Sequence, residues 1–154
     1  MAKQYIPEQK MDENYRGSPA YDATAEANRK ILTNALEAMH MGDDDSYWSI
    51  FDPDVTFHEA SCLPYGGTHV GFEAAQKAYL HLCTHFSKLT GDIEAVLASR
   101  DLVIIYQTIT FEAAESGATG TLPVAEVYRF RNGKVIEWRA NYFDACMVAN
   151  ALRQ

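Results

Sequence analysis

Residues 124–143 constrain this chain more than any other stretch. They alternate with the period of a β-strand and break once, at Asn132-Gly133. Side chains on a strand point alternately to its two faces. Val124, Glu126, Tyr128 and Phe130 therefore share one face, and Arg129 and Arg131 take the other, solvated one. Asn-Gly supplies the left-handed backbone that a tight hairpin turn needs. The strand beyond it, about 134–143, sets Ile136, Trp138, Ala140 and Tyr142 on one face. A hairpin with an apolar face needs a second layer to cover it.

The first half of the chain offers that layer. A helix over about 24–41 carries Ala27, Ile31, Ala35, Ala38 and Met39 at helical spacing, with Thr24 as its N-cap and Gly42 as its stop. Asp43-Asp44-Asp45-Ser46 caps a second, short helix bearing Tyr47, Trp48, Ile50 and Phe51. Asp52-Pro53-Asp54 reads as a turn before a strand at 55–59, and Leu63–Gly67 reads as a sharp loop. A third helix over about 72–88 has the stripe Ala75, Tyr79, Leu82 and Phe86. Strands follow at about 92–98, 101–112 and 119–131, and Asp144 caps a C-terminal helix over about 144–152.

This order predicts an α+β domain over 24–154: a cone-shaped α+β barrel whose curved, mostly antiparallel sheet wraps around the N-terminal helices. Residues 1–23, polar and punctuated by Pro7, Gly17 and Pro19, read as an N-terminal arm.

Two residues break the apolar pattern. Glu59 ends Val55-Thr56-Phe57-His58-Glu59 on the face of Val55 and Phe57, and Glu126 sits between Val124 and Tyr128. An ionised carboxylate on an apolar face is costly unless paired, and it responds by holding its proton to higher pH. Two such groups opening into one pocket suit acid–base chemistry. His58, next to Glu59, points the other way by parity.

The charge balance narrows the partners. A net charge of −8 argues against nucleic acid and anionic membrane surfaces. No apolar run approaches a membrane span, and the N-terminus lacks a secretory stretch, so a cytoplasmic protein is expected. Cys62, Cys83 and Cys146 are widely spaced and read as reduced thiols. His81 and His85 stand at i, i+4 and are candidates to line the pocket, as a ligand contact or general acid. No complete ligand set accompanies them, so neither metal nor cofactor is expected.

Three stretches resemble the nuclear transport factor 2-like superfamily, within its ketosteroid isomerase and SnoaL-like polyketide cyclase branch. They are Met41-Gly42-Asp43, Phe51–Glu59 with the following glycine loop and the helix at Gly71, and Ala125–Arg139. The resemblance covers about residues 25–150. It implies that Glu59 is a proton-shuttling base and that Glu126 is a protonated acid donating to the substrate's developing oxyanion. It also implies a hydrophobic small-molecule ligand or substrate, and a homodimer through the outer face of the sheet, where Val127, Val103 and Ile105 are expected.

Some family positions differ here. Ala35 stands where the isomerases carry a first-helix tyrosine, and Ala140 stands near the last-strand aspartate of the cyclases. Tyr47, Tyr79, Tyr106, Tyr128 and Tyr142 are the candidates to replace that tyrosine. With His81, His85 and Trp138 they are the candidate substrate-binding residues. An epoxide hydrolase-like set would draw on Asp101, Arg139 and Asp144, although parity turns Arg139 away from Trp138. Two function classes follow: a cofactor-independent isomerase, cyclase or dehydratase acting on a carbonyl compound, or a binding or assembly module using the same pocket without turnover.

Overall fold

The computed structural model describes residues 22–153, so the arm expected at 1–23 falls almost wholly outside the described residues. Helix α1, Ala23–His40, starts two residues earlier than a cap at Thr24 predicts. Its cap is Asp22, not Thr24, because the Asp22 carboxylate accepts from two free amides, those of Thr24 and Ala25. The helix ends as Gly42 turns left-handed at φ 84°. Asp43 caps α2, Asp44–Trp48, through the amide of Ser46.

Strand β1 runs Phe51–Glu59 and absorbs the expected Asp52-Pro53-Asp54 turn. Those three residues form an irregularity in the pairing of β1 with the last strand, where a proline without an amide proton is tolerated. Strand β2, Gly67–Val70, has no counterpart in the sequence reading, because its four largely exposed residues lack apolar alternation. Helix α3, Phe72–Thr84, ends before Phe86. Phe86 continues the apolar spacing of α3, but it opens β3 (Phe86–Ser99) and reaches the interior from a strand. Strands β4 (Leu102–Ala113), β5 (Thr119–Arg131) and β6 (Lys134–Tyr142) and helix α4 (Ala145–Ala151) complete the chain.

The sheet order is β2-β1-β6-β5-β4-β3, with every pair antiparallel except β1 with β6. Asn132 and Gly133 both take positive φ, as the hairpin between β5 and β6 requires. A bulge follows. Phe130 pairs with Val135 and Arg129 with Glu137, so Ile136 is the extra residue. Val135 takes the buried inward place that simple alternation assigns to Ile136, which is half-buried.

Cross-strand register corrects a second assignment. Val103 faces Tyr128 and Ile105 faces Glu126, so both lie buried on the inner face and cannot belong to an outer interface. Val127 does lie on the outer face, between Ile104 and Arg139. The inner face packs on α1–α3 around Trp138, which stacks on Phe57 at 4.1 Å and on Tyr128 at 5.6 Å. Among the described residues no helix is long and apolar enough to cross a membrane.

The loop after β1 is tight. Leu63 and Gly66 donate their amides to Ala60 and Leu63, and a Cβ on Gly66 would lie 2.1 Å from the Ala60 carbonyl oxygen. Backbone cannot swing away as a side-chain tip can. Gly66→Ala is therefore expected to cost about 1–3 kcal/mol, the range for overpacking. Urea denaturation measures it, and an unchanged midpoint would show that the loop can relax.

Candidate active site

A cavity of about 260 Å³ lies between the inner face of the sheet and the helices. This is near the lower end of the roughly 300–1,000 Å³ common for small-molecule sites. Leu36 and Met39 of α1, Tyr79 and Leu82 of α3, and Val148 of α4 wall it from the helical side. Tyr47, from α2, also lines it. The sheet contributes Ile109, Val124, Ala140 and Trp138, and two carboxyl groups, Glu59 and Glu126.

Glu126 is held by three donors. Its Oε1 accepts from Gln107 Nε2 at 2.8 Å, and its Oε2 accepts from Tyr128 OH at 2.5 Å and Trp138 Nε1 at 3.1 Å. Strand geometry builds this hub. Tyr128 lies two residues along β5 on the same face, Trp138 lies opposite Tyr128 on β6, and Gln107 reaches in from β4. The Gln107 amide crosses over Gly91, where an added Cβ would come within 2.3 Å of Gln107 Oε1. Complete burial pushes the Glu126 pKa up, and its three donors pull it back. The buried Tyr47 hydroxyl lies beside that of Tyr128.

Glu59 is not saturated. It is 8% exposed. Its Oε1 accepts from Tyr142 OH at 3.3 Å, while its buried Oε2 has no partner. Burial raises its pKa to about 8; the Tyr142 hydroxyl and the Ala60 amide oppose the rise, and the charge of Glu126 adds to it. Tyr142 in turn lies beside the hydroxyl of Tyr65, which belongs to the tight loop. One carboxyl is thus tied down, and the other carries a free, desolvated oxygen.

Of the residues singled out in the sequence, Glu59, Glu126, Tyr47, Tyr79, Tyr128, Trp138 and Tyr142 line this cavity together. Three do not. Tyr106 faces Ala125 on the outer face and is 40% exposed, because its neighbours Ile105 and Gln107 take the inward positions. His81 and His85 sit at the C-terminal end of α3, off the Tyr79–Leu82 side. They bond to each other, with 3.2 Å between their Nε2 atoms. His58 points outward, as parity requires, to Glu137 and Thr68.

The epoxide hydrolase-like set is not assembled. Asp101 pairs with Arg129, Arg139 pairs with Glu137, Asp144 caps α4, and none of the three lines the cavity. Gln107 and Tyr65 are the site residues that sequence reasoning missed. Gln107 shares its face with Val103 and Ile105, so the correct parity of β4 would have found it. Tyr65 lies in an aperiodic loop that gave no signal. Among the described residues no group of three or more His, Cys, Asp or Glu could hold a metal ion.

Residues 32–138, which include both glutamates, match the family model of the SnoaL-like domain. The chain belongs to the SnoaL-like domain family. No curated protein matches it significantly. Solved structures share the fold of this SnoaL-like domain. An NTF2-like protein of unknown function from Burkholderia pseudomallei is 24% identical at TM-score 0.71, covering 79% of this chain and 95% of its own. A putative SnoaL-like polyketide cyclase from Jannaschia sp. CCS1 is 19% identical at TM-score 0.70, covering 87% and 98%. TerC, crystallised with polyporic acid, is 18% identical at TM-score 0.71, covering 83% and 99%.

Proposed function

We propose that this SnoaL-like domain is a cofactor-independent acid–base catalyst of the isomerase, cyclase or dehydratase type. Its substrate is a hydrophobic, carbonyl-containing small molecule. The observation that carries this reading is the Glu59 Oε2, buried at the wall of an apolar cavity without a partner. Such an atom is an acceptor waiting for a proton, and desolvation makes the carboxylate a stronger base than it is in water.

In the proposed step a C–H bond next to the carbonyl breaks. The proton goes to Glu59 Oε2, and the electron pair forms the enolate. Glu59 then returns the proton to another carbon or to the departing oxygen. Glu126, whose two oxygens accept three hydrogen bonds, serves chiefly to position its donors. It holds Tyr128, Trp138 and Gln107 in place around the ligand. TerC, a fold relative crystallised with polyporic acid, supports a small-molecule ligand for this fold.

Deuterium exchange at the α-carbon of cyclic ketones in D₂O, followed by NMR, tests the proposal. The base is the ionised form, so the rate should rise with pH and level off above about 8, where Glu59 titrates. Glu59→Gln should lower the rate on the order of 10²–10⁴-fold, the contribution of a positioned base. Equal exchange by the native protein and the variant at every pH would remove the catalytic reading and leave a binding module.

A further inference from the structure

The hydrogen-bond inventory of the cavity leaves one donor without a strong acceptor. Gln107, Tyr128 and Trp138 are committed to Glu126, and Tyr142 to Glu59. The Tyr47 and Tyr65 hydroxyls lie beside those of Tyr128 and Tyr142, whose oxygens can accept from them. Tyr79 differs. Its hydroxyl has only sulfur beside it, the Met39 Sδ at 3.9 Å and the Cys83 thiol one helical turn along. Sulfur is a weak acceptor. The ring is held firmly by edge contacts with Trp48 at 5.5 Å and by Trp138 at 5.8 Å.

The cavity therefore has one uncommitted acceptor, Glu59 Oε2, and one weakly committed donor, Tyr79 OH. A carbonyl compound with an acidic α-proton needs that pair: an acceptor for the proton and a donor for the oxygen on which charge develops. We infer that the Tyr79 hydroxyl donates the hydrogen bond to the carbonyl oxygen of the bound ligand. The inference rests on the acid–base reading for its catalytic consequence, but not for ligand binding itself. Tyr79 stabilises the enolate oxygen while keeping its own proton, which partial burial holds more tightly than in water. Met39 and Cys83 give up little when the ligand replaces them, because their contacts with the hydroxyl are weak.

The test uses cyclohex-2-enone labelled with ¹³C at the carbonyl. Bound to the native protein, its carbonyl resonance should move downfield of the free ligand, as it does on accepting a hydrogen bond. Tyr79→Phe keeps the ring and its tryptophan contacts, so it should bind the probe without the downfield shift. Tyr106→Phe, on the outer face and away from the cavity, should keep the shift. In the exchange assay Tyr79→Phe should lower kcat on the order of 10²–10³-fold with less change in KM, the loss expected for one oxyanion donor.

A shift that survives in Tyr79→Phe, a shift that vanishes equally in Tyr106→Phe, or failure of the probe to bind would each overturn the inference. The two readings separate cleanly. If the shift survives in Tyr79→Phe while Glu59→Gln still abolishes exchange, Tyr79 is wrong and the acid–base reading stands. If Tyr79→Phe loses the shift but the native protein shows no exchange, Tyr79 binds the carbonyl and the catalytic reading falls.

Discussion

Glu59→Gln is expected to make the protein more stable at alkaline pH while removing its proton transfer. The Glu59 carboxyl titrates at about 8 in the folded chain, against about 4.3 in an unfolded one. Between those values the folded state holds a proton that the unfolded state has released. The contribution of this group to stability is therefore full below about pH 4.3, declines as the pH rises, and is lost above about 8. At about 1.4 kcal/mol for each pH unit between the two titrations, the loss approaches roughly 5 kcal/mol. Relaxation and water entry reduce that figure.

Glutamine has the same shape and no charge, so the variant should show none of this decline. Urea denaturation at pH 5 and pH 9 reads it out. The native midpoint should fall further between the two than that of the variant, which keeps the raised pKa of Glu126, and the variant should be the more stable at pH 9. Parallel declines in both proteins would mean that Glu59 is solvated and titrates normally. A group that costs the fold so much when charged is a candidate for chemistry rather than packing.

Glu126→Leu and Glu126→Gln should differ by several kcal/mol, although both remove the charge. Leucine leaves Gln107 Nε2, Tyr128 OH and Trp138 Nε1 without their acceptor. Each buried orphan costs about 1–3 kcal/mol, so the total is on the order of 4 kcal/mol even if Gln107 turns outward. Glutamine can be accommodated. Tyr128 and Trp138 both donate to the same oxygen, which the amide oxygen can replace. The amide nitrogen then faces Gln107, whose own amide can flip to present its oxygen.

A cost of about 1 kcal/mol is expected for Glu126→Gln alone, the size of one hydrogen bond exchanged for another. In a Gln107→Leu background that rescue is gone, and the two substitutions should cost more together than the sum of each alone. Strict additivity, or a leucine variant no weaker than the glutamine one, would show that the hub does not organise this side of the cavity. Reduced exchange in Glu126→Gln should then reflect the position of Tyr128 and Trp138, which donate to the same Glu126 oxygen.

The sequence by itself determined which faces point inward on the last two paired strands, where they turn, and that Glu59 and Glu126 belong to the buried side. Period-two alternation and the left-handed Asn132-Gly133 turn are local properties, and a one-residue slip would expose every apolar side chain. The caps at Asp43 and Asp144 were legible for the same reason, since a capping side chain reaches only two or three residues along its own chain. Tertiary structure decided what depends on neighbours distant in sequence. Strand β2 exists because β1 offers it an edge, and Phe86 leaves the helix because β4 offers it a partner. Register against β5 turned Val103, Ile105 and Gln107 inward and Tyr106 outward, and the bulge exchanged Ile136 for Val135. The contrast between the two glutamates is also tertiary. Both sit on apolar faces, but three donors from three strands converge on Glu126 while only Tyr142 reaches Glu59 from another strand. Which carboxyl is tied and which is free is a matter of packing, and no pattern along the chain encodes it locally.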